Sequence, residues 1–146
     1  SLLESFIFYK ATRYDIKGKQ YLKTGDKYYV ADLGLRYFIL GRKGNDTGHI
    51  LENVVYLELL RRGYDVYIGK VDELEVDFVA INSKGIEYYQ VSESVKDEKT
   101  LERELKSLDS IKDHNQKFLL VGDIEPEVSY NGIRKINVLD WLLDKK

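Results

Sequence analysis

The chain has 146 residues, of which 43% are hydrophobic and 33% are charged, a composition that suits one globular domain and excludes a disordered chain. Its 23 basic and 25 acidic residues give a net charge of -2, so a nucleic-acid-binding role would need a local basic patch. The absence of cysteine excludes disulfides, thiolate zinc sites and cysteine nucleophiles and fits a cytoplasmic protein, and no apolar run reaches the ~20 residues that a membrane-spanning helix needs.

The first 21 residues are too few to build a core of their own. They combine an apolar segment over residues 2–9 with a polar stretch around residues 17–19, and the sequence begins without Met, so we expect a piece of a longer protein. Because the apolar cluster would expose a sizeable patch, we expect it to pack on the main domain or on a second copy; its members are Leu2, Leu3, Phe6, Ile7 and Phe8. Residues 24–30 predict a turn and a strand, and residues 33–40 a short helix.

A glycine-rich loop over residues 41–48 precedes the clearest helix, which Asp46 or Thr47 can cap and Gly63 can end. The helix is apolar on most of its surface, which predicts burial between two layers. Three strands follow at residues 64–70, 75–81 and 86–92, and the short connections favour an antiparallel meander.

An amphipathic helix at residues 100–111 and an apolar strand at 117–122 come next, a pattern that predicts a right-handed parallel crossover. A strand at 133–138 and a helix at 139–144 end the chain. The order of elements predicts an α/β fold with a mixed sheet and helices on both faces.

No phosphate-binding GxxxxGK[ST] motif is present, so we expect no ATP site in this chain. What remains is a set of acidic and polar residues. Glu52 lies on the buried helix among apolar neighbours and has no basic residue one turn further along, so it is either partly exposed near the helix start or held there for a function. Both interpretations stay open from helix geometry alone.

Alternation along the predicted strands places further polar groups near one another. In the strand at 75–81, Glu75, Asp77 and Val79 share one face, and the other face carries Val76, Phe78 and Ala80. In the next strand Gln90 and Ser92 point the same way and would lie beside Asp77. These residues form either the solvated face of a sheet or a carboxylate site for a hard cation such as Mg²⁺.

Taken together, these segments resemble a known family. A helix with a glutamate, a hairpin with an aspartate and then Gln-x-Ser, and a crossover helix and strand resemble the core of the PD-(D/E)XK nuclease superfamily. The local sequence is closest to the uncharacterised C-terminal domain that follows the P-loop ATPase and winged-helix portions of many prokaryotic AAA-type ATP-binding proteins. The segments that carry the resemblance are 27–35, 48–59, 75–78, 90–92, 103–108 and 132–133.

The resemblance implies a restriction-endonuclease-like core: a helix, a three-strand meander, a crossover helix and a strand. It implies that residues 1–21 are a stub from the tail of a winged-helix domain and that residues 22–146 are the nuclease-like domain. The missing ATPase and winged-helix portions of the same chain would then be its partners, together with DNA. No membrane partner is implied, and the oligomeric state stays open.

The resemblance also assigns site residues. It implies that Glu52, Asp77 and Gln90 hold Mg²⁺ or Mn²⁺, and that Ser92 stands at the position of the catalytic lysine. Gln90 lowers the negative charge available to a metal, and Ser92 supplies no cation. Arg103 is the candidate for a replacement cation, although it could equally pair with Glu104 or Glu102.

Two functions follow from these assignments. The first is a nuclease-fold domain of a larger ATPase that binds or cleaves nucleic acid with a divalent metal; its cleavage should be weak and its metal binding retained. The second is a catalytically inactive domain for protein interaction or regulation of the ATPase. An open cleft with basic residues on its rim would favour the first, and a cleft filled by the chain's own side chains the second.

Overall fold

The computed structural model of the chain describes residues 8–31 and 47–144. Within these ranges it has ten strands and three helices. They are β1 (Phe8–Ala11), β2 (Arg13–Asp15), β3 (Gln20–Tyr21), β4 (Lys27–Val30), α1 (Thr47–Arg61), β5 (Asp65–Val71), β6 (Leu74–Asn82), β7 (Gly85–Ser92), α2 (Glu98–Asp109), β8 (Gln116–Val121), β9 (Val128–Tyr130), β10 (Ile133–Asn137) and α3 (Val138–Leu142). None of the helices in these ranges is long and apolar enough to span a membrane.

The centre of the fold is a mixed eight-stranded sheet in the order β3-β2-β5-β6-β7-β8-β10-β9. The predicted antiparallel meander is confirmed for β5, β6 and β7. The predicted crossover is also confirmed, because β7 and β8 pair in parallel and α2 connects them. The α/β class and the mixed sheet are therefore as predicted.

Helices pack on both faces of the sheet and create two separate cores. One core forms under α1 and contains Val55, Leu59 and Phe78. The other forms under α2 and contains Val79, Leu108 and Leu119. Two faces buried by helices explain why the central strand β8 is apolar over its last four residues.

The helix α1 lies between the sheet and a two-stranded ribbon made of β1 and β4. Its Asn53 side chain binds both backbone polar groups of Val30 in β4, at 3.2 Å from the backbone N and 3.0 Å from the carbonyl O. The rings of Tyr29 and Tyr56 stack between the ribbon and the helix with centroids 4.3 Å apart. The predicted burial of this helix between two layers is confirmed.

The predicted boundary at residue 21 does not separate two bodies in the described part of the chain. Strand β2 pairs in parallel with β5 of the main sheet, with Arg13 opposite Ile68, and β3 pairs with β2. The side chains of Tyr14 and Ile16 are buried in the core under α2. Residues 13–21 extend the main sheet because their apolar side chains pack into that core. Their origin in a winged-helix domain stays a prediction.

Some sequence predictions fall outside the described residues. They are the helix at 33–40, the cap at Asp46 and the cluster members Leu2, Leu3, Phe6 and Ile7. The last member of that cluster, Phe8, is 50% exposed.

The predicted alternation along β6 is wrong at one point, because the strand contains a bulge. Tyr67 pairs with Val79 and Gly69 with Val76, so two steps along β5 match three steps along β6. The extra residue turns Val76 into the core under α2 together with Val79, while Phe78 stays in the core under α1. The predicted grouping of Val76 with Phe78 therefore fails, since a sequence pattern of period two cannot show an inserted residue.

Candidate functional site

A cleft opens where β6 and β7 stop pairing through their backbones. The last backbone pair on this side joins Phe78 and Tyr89. One residue further, the backbone N of Asp77 donates to the side-chain Oε1 of Gln90 at 2.6 Å, and the backbone N of Val91 donates to Oδ2 of Asp77 at 2.8 Å. Side chains thus replace the missing ladder bonds, and the two strands separate.

The five residues predicted for the site all line this cleft, which has a volume of about 510 Å³. We call it the acid cleft and define it by Glu52, Asp77, Gln90, Ser92, Arg103 and three further lining residues, His49, Glu75 and Glu104. The expected convergence of Glu52, Asp77 and Gln90 on one face is therefore observed. The chemical roles assigned to them remain predictions.

Glu52 reaches the cleft from the second turn of α1. The hydroxyl of Tyr29 donates to Oε1 of Glu52 at 2.6 Å. Burial, and then the negative charge and hydrogen bond of Glu52, raise the pKa of Tyr29 far above its usual value. The phenol therefore stays protonated and fixes the orientation of the carboxylate as a permanent donor.

Asp77 sits at the bulge in β6 and is the most strongly perturbed acid of the cleft. Burial, and then the charges of Glu52 and Glu104, raise its pKa to about 8, although the hydrogen bond from Val91 and the charge of Lys27 act in the opposite direction. A carboxyl group that is held near other acids and away from water binds its proton tightly. Such a group also gains most from a cation placed beside it.

Gln90 connects two of the acids. It is 6% exposed, its Oε1 accepts from the backbone N of Asp77, and its Nε2 donates to Oε2 of Glu104 at 3.0 Å. Both ends of the amide are thus engaged within the protein. Gln90 orients Glu104 and ties β7 to β6.

Glu104 is a third carboxylate of the cleft, which the sequence indicated only as a partner for Arg103. Burial is the main cause that raises its pKa, while the nearby Arg103 lowers it. A signal for its position was available, because Glu104 is three residues after Leu101 and four before Leu108 and so shares the inward stripe of α2. An acid on an apolar stripe indicates either a partner or a ligand.

Ser92 and Arg103 lie on the outer part of the cleft. The hydroxyl of Ser92 donates to the carbonyl O of Ser94 at 3.1 Å, and the Arg103 side chain is 73% exposed with its Nη2 at 3.7 Å from Oε1 of Glu104. The pairing of Arg103 with Glu104 is the alternative that the sequence left open. Arg103 is therefore on the rim, where a solvated cation contributes little to holding the fold together.

Lys27 is a cation beside the cleft that was not predicted from the sequence. It lies on the same face of β4 as Tyr29, and its Nζ donates to Oε1 of Glu75. Burial lowers its pKa, but the hydrogen bond to Glu75 and the charges of Glu52, Glu75 and Asp77 outweigh this and raise the pKa overall. Strand β4 thus brings both an ammonium group and a phenol to the acids.

The carboxylates of the acid cleft fit a hard divalent cation. Oxygen ligands suit Mg²⁺ and Mn²⁺, and Mg²⁺ in proteins keeps several waters while using one or two carboxylates together with substrate oxygens. Within residues 8–31 and 47–144, no three His, Asp or Glu side chains are arranged as a ready-made ligand set. The cleft thus suits a cation held by few protein ligands and completed by water or substrate.

Comparison with known proteins identifies a relative with a similar sequence. No family model matches the chain, and no solved structure matches it. The chain is 46% identical over 143 residues, 97% of its length, to an uncharacterized protein from Haemophilus influenzae. It spans 35% of the length of that relative.

Proposed function

We propose that the chain is a PD-(D/E)XK-type, nuclease-like domain that holds a divalent cation in the acid cleft and presents it to a nucleic-acid backbone. The observation that carries the proposal is the convergence of Glu52, Asp77 and Glu104 where β6 and β7 separate. Three acids share a partly buried site, and burial, followed by the charges of Glu52 and Glu104, raises the pKa of Asp77. A divalent cation is the partner that best relieves the repulsion among these acids.

Each of the three acids is oriented by a neighbour of its own. Tyr29 donates to Glu52, the backbone N of Val91 donates to Asp77, and Gln90 donates to Glu104. Because both ends of Gln90 are engaged, we assign Gln90 a positioning role and count Glu104 with Glu52 and Asp77 as the acids from which a bound cation would take its few protein ligands. A bound cation would polarise a phosphate oxygen and activate a water molecule.

The open cleft and the cations beside it favour nucleic acid as the partner. Arg103 lines the cleft and Lys27 lies next to Glu75, so positive charge borders the acids although the chain as a whole is acidic. Ser92 supplies no cation for the developing charge of a transition state. Loss of one such group costs a factor of ~10²–10³ in rate, so we expect binding to be retained and cleavage to be weak.

Gln90 and Ser92, where the family pattern has a carboxylate and a lysine, also support an alternative. In this alternative the domain has lost catalysis and serves to regulate an attached ATPase. Gln90 bridges Asp77 to Glu104 instead of presenting a third negative charge from β7. The chain covers about a third of its relative, which leaves room there for the ATPase and winged-helix portions that the family resemblance implies. In both versions the protein would act as part of a larger chain.

Calorimetric titration of the full chain with Mn²⁺ tests the proposal. Asp77→Asn should abolish the binding, because it removes a ligand charge whose burial beside other acids gives it the most to gain from a cation. Asp109→Asn is the matched control, since Asp109 is an exposed aspartate on α2 outside the cleft. Equal Mn²⁺ affinity in wild type and Asp77→Asn, or DNA cleavage that survives Asp77→Asn, would place the active site elsewhere.

A further inference from the structure

Beside the acid cleft, one carboxylate is shared by two cations. The Nζ of Lys27 binds Oε1 of Glu75, and Nη2 of Arg13 lies 3.9 Å from Oε2 of the same side chain. We call Arg13, Lys27 and Glu75 the Glu75 cluster. Its three side chains are 27%, 37% and 40% exposed, so a ligand from solution can reach them.

The guanidinium of Arg13 is held in place, but not all of its hydrogen-bond donors have a partner in the part of the chain that the structure describes. Gly25 adopts a φ of +85°, and a Cβ there would come within 2.3 Å of Cδ of Arg13, so the bare glycine backbone packs against the arginine side chain. Within the described residues, the Nε of Arg13 is buried and has no hydrogen-bond partner. Its contact with Glu75 at 3.9 Å is longer than a hydrogen bond.

The geometry of the Glu75 cluster suits a phosphate group. Each carboxylate oxygen of Glu75 faces one of the two cations. The two non-bridging oxygens of a phosphodiester would face the cations in the same way. Arginine and lysine form their strongest contacts with such oxygens, and a phosphate can approach an arginine with two parallel hydrogen bonds. The cluster adjoins the proposed metal site, because Glu75 itself lines the acid cleft.

We infer that Arg13 and Lys27 form a subsite for a backbone phosphate of nucleic acid, and that Glu75 occupies this subsite as an internal anion until the strand displaces it. The inference rests on the proposed function, because it places a nucleic-acid strand along the acid cleft. In the free protein the two cations stay paired with Glu75. When the strand binds, its phosphate takes the place of Glu75 as their partner. Glu75 thereby weakens the attraction of the domain for nucleic acid that is not seated in the cleft.

The test measures the affinity of the full chain for short fluorescent single-stranded and duplex DNA by anisotropy, in EDTA so that no metal contributes. Glu75→Gln should tighten binding by roughly two- to fivefold, the range of one partly exposed charge contact. Glu73→Gln is the matched control, because it removes an equal charge from an exposed glutamate two residues away and should change affinity much less. In the Glu75→Gln background, Lys27→Gln should remove the gain and lower the slope of affinity against salt by about 1.

The outcomes separate this inference from the proposed function. Equal effects of Glu75→Gln and Glu73→Gln would show that only net charge matters and would overturn the subsite. So would a gain that persists in the double variant with Lys27→Gln, provided that circular dichroism shows each variant to be folded. Loss of Mn²⁺ binding in Asp77→Asn together with an unchanged gain from Glu75→Gln in EDTA would support both proposals independently.

Discussion

Replacing Asp77 by asparagine should make the protein more stable at neutral and alkaline pH. The pKa of Asp77 rises from 3.8 to about 8 on folding, with burial and then Glu52 as the main causes. The native state therefore binds this proton more tightly than the unfolded state does, so stability falls as pH rises between these two values. The penalty is absent below the lower pKa and complete above the higher one.

The size of the effect follows from the shift. Each unit of pKa difference corresponds to ~1.4 kcal/mol, so a shift of this size sets an upper limit of about 6 kcal/mol on the penalty. Relaxation of Glu52 and Glu104 reduces the real value, and we expect Asp77→Asn to gain roughly 1–3 kcal/mol near pH 8. Asparagine keeps an oxygen that can accept from the backbone N of Val91, so the bulge is retained.

Thermal denaturation followed by circular dichroism, at about pH 4, 6 and 8 without metal, measures this difference. We expect the midpoint of Asp77→Asn to exceed that of wild type by a few degrees near pH 8 and to converge with it near pH 4. Asp109→Asn, the exposed control, should show no such trend. A loss of stability in Asp77→Asn near pH 8, or a difference that does not change with pH, would refute the reasoning.

Three further substitutions test other parts of the structure. Glu104→Gln should weaken Mn²⁺ binding about tenfold in calorimetry because it removes a ligand charge, and an unchanged dissociation constant would contradict the assignment of Glu104. Ser92→Lys should raise metal-dependent DNA cleavage at least about tenfold in a gel assay, since it restores a cation; no gain in a folded, Mn²⁺-binding variant would favour the inactive, regulatory domain. Gly69→Ala should cost roughly 1–3 kcal/mol in urea denaturation, because a Cβ there would lie 2.9 Å from atoms of both Val76 and Val79, and wild-type stability would contradict the tight packing at the bulge.

Much of the fold could be predicted because its signals are local. The helix α2 shows a period of 3.6 residues, and the strand β8 is a continuous apolar run between polar turns. Their order along the chain then restricts the topology, because parallel crossovers are right-handed. The approach of Asp77 to Gln90 also followed, since both positions lie on neighbouring strands.

Other features depend on contacts that are distant in sequence. Strand β2 is only three residues long, and its place in the sheet is set by pairing with β5, about 55 residues further along the chain. Lys27 approaches the acids because β4 packs across α1, which no local pattern indicates. The two hydrogen bonds of Gln90 could not be predicted for a related reason: its residue type suggested a ligand, and its partners are visible only in three dimensions.

The bulge in β6 connects these observations. The backbone pairing of β6 with β7 ends beside it, and there the side chains of Asp77 and Gln90 take over the hydrogen bonds of the ladder. These two residues therefore support the fold as well as the site, and a replacement that removes their hydrogen bonds, unlike Asp77→Asn, would affect both. Glu104 projects from α2 and accepts a hydrogen bond from Gln90 without taking part in the sheet. Its replacement therefore distinguishes an effect on metal binding from an effect on folding more cleanly.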